Sequence, residues 1–347
     1  MKNSQLGFGI VGTGMIAGII ADAIDKSTNA KLIAVSSRKI DTAQSFVAKR
    51  QRVAAVQGID DLLARADVDA VYIAIPTAPK EETAVAAMAA GKHVLVDKPF
   101  VNHGSLLRMT DAAAAKGVAF MDATHFVHHS RTAAIQAAGV EKIGSPRSLN
   151  TKFYLPFSDR TNIRYNEKLE PMGALGDLAW YSMRAVVEYL RPRGRITKVV
   201  TVAERDAETT SVVRASGLIA FDGGEVSTFD VGYTAGAVIM DLQLIGTSGV
   251  IGMDDFVLDW TDSLAFKNPD IATGYFHRTG MATRKDVTFV PTPSNTSAQV
   301  AMIQTFAEVA AFGDAARRAA FAASSLKTQL YLDAIWAAAD SRFSCPA

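Results

Sequence analysis

The six residues Gly12-Thr13-Gly14-Met15-Ile16-Ala17 constrain this chain more than any other stretch. An apolar run from Leu6 to Val11 breaks at Gly12 and resumes with helical spacing at Ile16, Ile19, Ile20, Ala23 and Ile24. That pattern reads as a buried strand, a tight turn and an amphipathic helix. The turn has the form Gly-x-Gly-x-x-Ala. Gly12 permits the sharp turn, Gly14 lets a pyrophosphate approach the backbone, and Ala17 lets the helix pack close to the strand. The free N–H groups and positive dipole end of the helix then favour phosphates. The plainer reading is a tight turn with no ligand. Placement after a first strand and before a first helix weighs against it.

The residues that follow extend the same pattern. A second strand over residues 31–35 ends in Ser36-Ser37-Arg38-Lys39. NAD-specific sites place an acid there to accept from the ribose 2′-hydroxyl. Small hydroxyls and two cations stand here instead, which suits a 2′-phosphate and predicts NADP(H) over NAD(H). Arg38 can also lie on the adenine face. Alternatively, Arg38 and Lys39 are solvated loop cations. Helices are expected over 41–50 and 59–63, and a strand over 70–75, so that Ile75, Pro76 and Thr77 line the cofactor's path. A helix over 81–90 ends at Gly91. A buried strand over 93–96 delivers Asp97-Lys98-Pro99 to the carboxyl edge of the sheet. A helix over 105–116 and a strand over 118–121 complete a doubly wound parallel domain, residues 1–125.

Residues 126–347 read differently. Histidines and aromatics crowd 123–131, and a helix follows to about 139. A strand over 147–155 precedes a polar, arginine-bearing loop and a helix over 173–190. Strands follow over 196–203, 216–221, 225–233, 238–246 and 250–253, with weaker ones near 264 and 287. Turn signals such as Asp222-Gly223-Gly224 join them. The expectation is an α+β domain on an antiparallel sheet. Phe229, Tyr233, Leu242 and Leu244 are candidate interface residues. An alanine-rich helical tail over 296–342 is expected to pack back on the first domain.

Composition removes several function classes. The 347 residues carry a net charge of +1, so no surface for nucleic acid is expected. No apolar run reaches membrane-spanning length and none reads as a signal peptide, so a cytoplasmic protein is expected. The one cysteine, Cys345, excludes an internal disulfide and a cysteine-based zinc site, and no metal is expected.

Three motifs together are more specific than any one: Gly12-x-Gly14-x-x-Ala17, Asp97-Lys98-Pro99, and Gly173-Ala174-Leu175-Gly176-Asp177-Leu178-Ala179-Trp180-Tyr181. With them the chain resembles the glucose–fructose oxidoreductase / inositol dehydrogenase / rhizopine catabolism (Gfo/Idh/MocA) family over essentially its whole length. The resemblance implies a Rossmann domain, a second domain whose open sheet makes a homodimer or higher homo-oligomer, and NAD(P)-dependent chemistry on sugars and related alcohols. Two departures matter. Asp97 stands where the family usually has Glu. Tyr181 stands where many members have His, which places the chain near the glucose–fructose oxidoreductase and dimeric dihydrodiol dehydrogenase branch.

The residues then suggest roles. Asp177 and Tyr181 are four apart and share one helix face. Hydride transfer to a carbonyl needs a proton donor to the developing alkoxide, and Tyr181 is the first choice. Lys98 is expected to hydrogen-bond the same oxygen or Tyr181 and to anchor the cofactor ribose. Asp177 would orient Lys98 or bind a substrate hydroxyl. A free tyrosine has a pKa of about 10, so at neutral pH it is already an acid, and reduction is the easier direction. His125, His128, Tyr154, Arg160 and Arg164 are candidate substrate-binding residues. The leading expectation is an NADP(H)-dependent oxidoreductase acting on the carbonyl or secondary alcohol of a polyhydroxylated small molecule. A trans-dihydrodiol dehydrogenase and a non-catalytic NADP-binding regulator are the alternatives.

Overall fold

The computed structural model describes residues 5–263 and 266–340. The expectations for Cys345, for the last residues of the tail and for the centre of the strand near 264 fall outside them. The chain divides into two compact units, one formed by Met1–His128 with Thr296–Leu326, the other by His129–Asn295 with Lys327–Ala347.

The first unit is a six-stranded parallel sheet. Its elements run β1 (Leu6–Val11), α1 (Met15–Lys26), β2 (Ala30–Ser37), α2 (Ile40–Val47), β3 (Ala54–Gln57), α3 (Ile59–Leu63), β4 (Ala70–Ile73), α4 (Lys80–Ala89), β5 (His93–Val96), α5 (His103–Lys116) and β6 (Phe120–Asp122). The spatial order is β3-β2-β1-β4-β5-β6. Strand order reverses between β1 and β4, which opens a crevice at their carboxyl ends. The β1, β4 and β5 strands are short apolar runs buried on both faces, as a covered parallel sheet requires. Edge strand β3 is a difference from expectation: Ala54-Ala55-Val56-Gln57 has little β-branched character, and pairing with β2 fixes it as a strand.

The alanine-rich tail holds two helices, α8 (Ala298–Phe312) and α9 (Ala315–Asp340), separated at Gly313 and Asp314. The α8 helix is part of the first unit's core. Met302, Ile303, Phe306 and Val309 are fully buried with Ile20 and Ile24 of α1, and the Phe306 ring lies 5.7 Å from that of Phe8.

The second unit begins with α6 (Ser130–Ile143) and β7 (Pro146–Tyr154), followed by α7 (Gly173–Ala185), whose end widens into a π-helical turn, Val186–Leu190. Then come β8 (Ile196–Arg205), β9 (Val212–Phe221), β10 (Val226–Gly232), β11 (Leu242–Gly246), β12 (Gly249–Met253), the small ribbon β13 (Asp262–Ser263) with β14 (Phe266–Lys267), β15 (Gly274–Thr279) and β16 (Thr288–Pro291). The main sheet has the order β16-β15-β12-β11-β7-β10-β9-β8. It is mixed: β7 and β10 pair in parallel, and the other neighbours are antiparallel. The reason is topological. Helix α7 crosses back over the sheet after β7, so the following meander sets its third strand beside β7 in the same direction.

Helix α7 covers one face, with Trp180 and Met183 completely buried. Phe229, Tyr233, Leu242 and Leu244 turn to this covered side and are 2 % exposed or less, which removes them as interface candidates. The alternate residues point the other way. There Val200, Val202, Phe276 and Phe289 remain exposed, between 37 % and 67 %.

Candidate active site

In the first unit, the β1–α1 turn is built by steric necessity. Gly12 has φ +112°, and a Cβ there would lie 2.3 Å from the Ala74 carbonyl oxygen just after β4. Only glycine lets the two strand ends approach so closely. Gly14 is different: a Cβ there would meet nothing within 4 Å, so open space lies above it. Gly14 also caps α1 without any side-chain hydrogen bond, and the first turn carries no acid. The helix therefore presents unneutralised N–H groups and a positive dipole end to open space, a donor set that fits a dinucleotide pyrophosphate. Ala17 is completely buried behind it, and Met15 at the helix start is 72 % exposed. Thr13 and Ile16 complete the turn.

The tip of β2 divides into two roles. Ser36 is buried and its hydroxyl donates to the Gly58 carbonyl at 2.5 Å, so it fastens β2 to the turn before α3. Ser37 is half-buried, and Arg38 and Lys39 are exposed. After β4, Ile75 and Pro76 are half-buried and Thr77 is buried. After β5 come Asp97, Lys98, buried, and Pro99, with a cis Lys98–Pro99 peptide. One residue not foreseen joins these segments. Lys80, at the start of α4, is 2 % exposed and donates to the carbonyls of Lys98 at 3.0 Å and Pro99 at 2.9 Å. A lysine before two glutamates reads in sequence as a surface charge, and no local signal reveals its partners.

His125 and His128 lie on a short 3-10 turn after β6. His125 is buried, and His128 stacks on Phe321 with ring centres 6.1 Å apart. Among the described residues, no group of three or more His, Cys, Asp or Glu side chains is arranged to hold a metal ion.

In the second unit, Gly173 starts α7 at φ +50°, where a Cβ would lie 2.4 Å from the Val212 carbonyl oxygen. This close approach sets the helix start against β9. Asp177 and Tyr181 follow one turn apart on α7. Tyr181 is buried, and its ring meets Phe153 edge-on at 5.5 Å. The Asp177 carboxylate is held from two directions. Arg164 Nε donates to its Oδ2 at 2.8 Å, and the Tyr233 hydroxyl donates to the same oxygen at 3.1 Å. Burial, and then the Asp177 charge, push the Tyr233 phenol well above its usual range, so it stays a donor. Asp177 likewise raises the Arg164 pKa, against the opposing effect of burial. The Arg164 guanidinium also lies over the Phe157 ring, 5.2 Å from its centre.

The other candidates in this unit sit elsewhere. Tyr154 follows Phe153 on β7 and so points to the opposite face of the sheet from Tyr181. There its hydroxyl donates to Asp230 at 2.6 Å and accepts from Arg214 at 3.0 Å. Burial, then Asp230, push its phenol up to about 12. Arg160 is half-exposed and pairs with Asp206 and Glu208 beyond β8. Within the unit the structure thus brings Arg164 and Tyr233 to Asp177, and leaves Tyr154 and Arg160 with other partners.

Residues 6–124 match the model of an oxidoreductase family with an NAD-binding Rossmann fold. The chain is 31% identical over 310 residues to the dTDP-3,4-didehydro-2,6-dideoxy-alpha-D-glucose 3-reductase of Streptomyces violaceoruber, covering 86% of this chain and 81% of that one. It is 35% identical over 156 residues to the NADP(+)-linked scyllo-inositol 2-dehydrogenase of Bacillus subtilis, covering 44% of this chain and 46% of that enzyme. Among solved structures, its fold is similar to that of the 3-ketoreductase KijD10 of Actinomadura kijaniata, in complex with NADP and TDP-benzene. The TM-score is 0.83 at 24% identity, over 96% of this chain and 98% of that one.

Proposed function

Because the chain belongs to the Gfo/Idh/MocA family of oxidoreductases, we propose that it is an NADPH-dependent reductase of a keto group on a sugar-like substrate, with Tyr181 as the acid. The class of substrate follows the relatives, one a reductase of a dTDP-linked keto sugar and one a dehydrogenase of an inositol. The observation that carries the cofactor assignment is the β2 tip. It offers Ser37, Arg38 and Lys39 where an NAD site would need a carboxylate.

In this reading the β1–α1 turn, with Gly12, Thr13, Gly14, Met15 and Ile16, holds the pyrophosphate. Ser37, Arg38 and Lys39 bind the 2′-phosphate, and Ser36 fixes the strand end that carries them. Ile75, Pro76, Thr77, Asp97 and Pro99 line the nicotinamide side. The reduced nicotinamide, when bound, supplies the hydride. Tyr181 Oη donates its proton to the carbonyl oxygen as that oxygen gains charge, and the phenolate is reprotonated from solvent. A phenol ordinarily titrates near pH 10, so the acid is loaded at neutral pH. Lys98 anchors the cofactor ribose, and donates a hydrogen bond to the same oxygen and stabilises its charge. Asp177, held by Arg164 and Tyr233, accepts from a substrate hydroxyl. His125 and His128 belong to the substrate side in this account. The exposed apolar residues Val200, Val202, Phe276 and Phe289 belong to a homo-oligomeric contact.

The test is a paired titration with NADPH and NADH, followed by nicotinamide fluorescence, on the wild type and on Arg38→Ala/Lys39→Ala. NADPH should bind at least about tenfold tighter, and the double variant should lose that preference while keeping its NADH affinity. Equal affinity of the wild type for the two cofactors contradicts the assignment.

A further inference from the structure

A cation buried in the first unit stands outside the roles assigned so far. Lys80 Nζ lies 3.0 Å from the carbonyl oxygen of Lys98, 2.9 Å from that of Pro99, and 3.4 Å from the Thr77 hydroxyl. The residue is 2 % exposed. Taking an ammonium out of water costs several kcal/mol unless its N–H groups find acceptors. A fold that needed only to satisfy two carbonyls has cheaper donors available, such as an amide side chain or a water. The ammonium brings a charge and three donors that radiate from one atom. These three acceptors lie on two chain segments, the one after β4 and the one after β5. These strands are parallel neighbours, paired from Ala70 with His93 to Ile73 with Val96.

We propose that Lys80 is a positioning residue that fixes the backbone at Lys98 and Pro99 and so aims the Lys98 side chain at the cofactor. The two carbonyls belong to consecutive peptide groups, those following Lys98 and Pro99. Holding both fixes the two peptide planes on either side of the Pro99 α-carbon, and the first of those planes starts at the Lys98 α-carbon, where the working side chain branches. The contact with Thr77 extends the restraint to the segment proposed to line the nicotinamide path. Preorganisation of this kind acts through the free energy of ordering. A lysine already aimed loses less freedom when its ligand arrives than one on a loose turn. The inference rests on the reading of Lys98 as a cofactor and substrate contact.

The experiment is a double-mutant cycle on NADPH affinity, read by nicotinamide fluorescence, with Lys80→Met, Lys98→Met and the double variant. Lys98→Met should weaken NADPH about tenfold, as loss of a charged hydrogen bond does. Lys80→Met should weaken it several-fold, and the double variant should bind no worse than Lys98→Met alone. Lys80→Gln, which keeps a donor, should recover part of the loss. It also replaces Lys80→Met in the cycle if the methionine variant does not fold. Effects that multiply in the double variant would show that Lys80 acts independently of Lys98 and overturn the inference. So would a Lys80→Met enzyme with wild-type affinity beside a weakened Lys98→Met. If Lys98→Met itself binds NADPH normally, the reading of Lys98 falls and the inference falls with it.

Discussion

Arg164 donates its Nε–H to Oδ2 of Asp177 at 2.8 Å, across the chain from the loop after β7 to the first turns of α7. Their side chains are 25 % and 14 % exposed, so the pair is only partly screened by water. A substrate-facing arginine is the role sequence alone suggests. The structure shows Arg164 paired with the Asp177 carboxylate.

Breaking that pair should therefore be felt in stability. Arg164→Gln should lower the free energy of unfolding by about 1–2 kcal/mol, since Asp177 loses the Arg164 guanidinium. Arg164→Lys should recover only part, because an ammonium cannot reproduce both the Nε contact and the stacking on Phe157. Denaturant midpoints of the three proteins check this, and equal midpoints would show that the pair contributes nothing.

The two glycines of the β1–α1 turn should separate folding from binding. Gly12→Ala places a Cβ 2.3 Å from the Ala74 oxygen at φ +112°, and should cost at least about 2 kcal/mol of stability. Gly14→Ala meets nothing, so its stability should fall by no more than about 1 kcal/mol, the cost of alanine in place of glycine at a helix N-cap. Its NADPH affinity should fall at least about tenfold, because the methyl occupies the space proposed for the pyrophosphate. Thermal melting with NADPH titration reads both. A Gly14→Ala protein with normal affinity would place the pyrophosphate elsewhere.

Much of the first unit is legible in the sequence because its signals are local. Apolar runs of four to six residues, glycines such as Gly117 at helix ends, and alternating periods identify β1, β4, β5, α4 and α5 without knowledge of their neighbours. What stays hidden is set by partners distant in sequence. The β3 strand, almost all alanine, and β15, with its Gly-Tyr-Phe-His-Arg-Thr run, become strands by pairing with β2 and with β12. The parallel pairing of β7 and β10 depends on where α7 crosses. Asp177 and Tyr181 announce themselves by spacing on a helix. Arg164, Tyr233 and Lys80 do not, because an arginine in a polar loop, a tyrosine at a strand end and a lysine beside glutamates look like surface or packing residues until the fold is closed.

His129 gives the second unit an acid sensitivity. It is buried, and its Nδ1 accepts from the Arg131 backbone N–H at 3.0 Å. Burial, reinforced by the Arg131 charge, lowers its pKa to about 4. Protonation thus favours the unfolded chain, where a histidine titrates near 6.5. The contribution of the neutral ring is complete above about pH 6.5 and is lost as pH falls toward 4, at most about 3 kcal/mol. Urea midpoints should fall more steeply over that window in the wild type than in His129→Asn. Parallel slopes would contradict this.

The most direct measurement is the rate of NADPH oxidation by Tyr181→Phe against the wild type, with a dTDP-linked 3-keto sugar as substrate and NADPH affinity measured alongside. Removing one hydroxyl leaves the ring against Phe153 in place. The account predicts a fall in kcat of about 100-fold or more with NADPH affinity unchanged. A variant that turns over at the wild-type rate would show that the proton comes from another group, and that Tyr181 only packs.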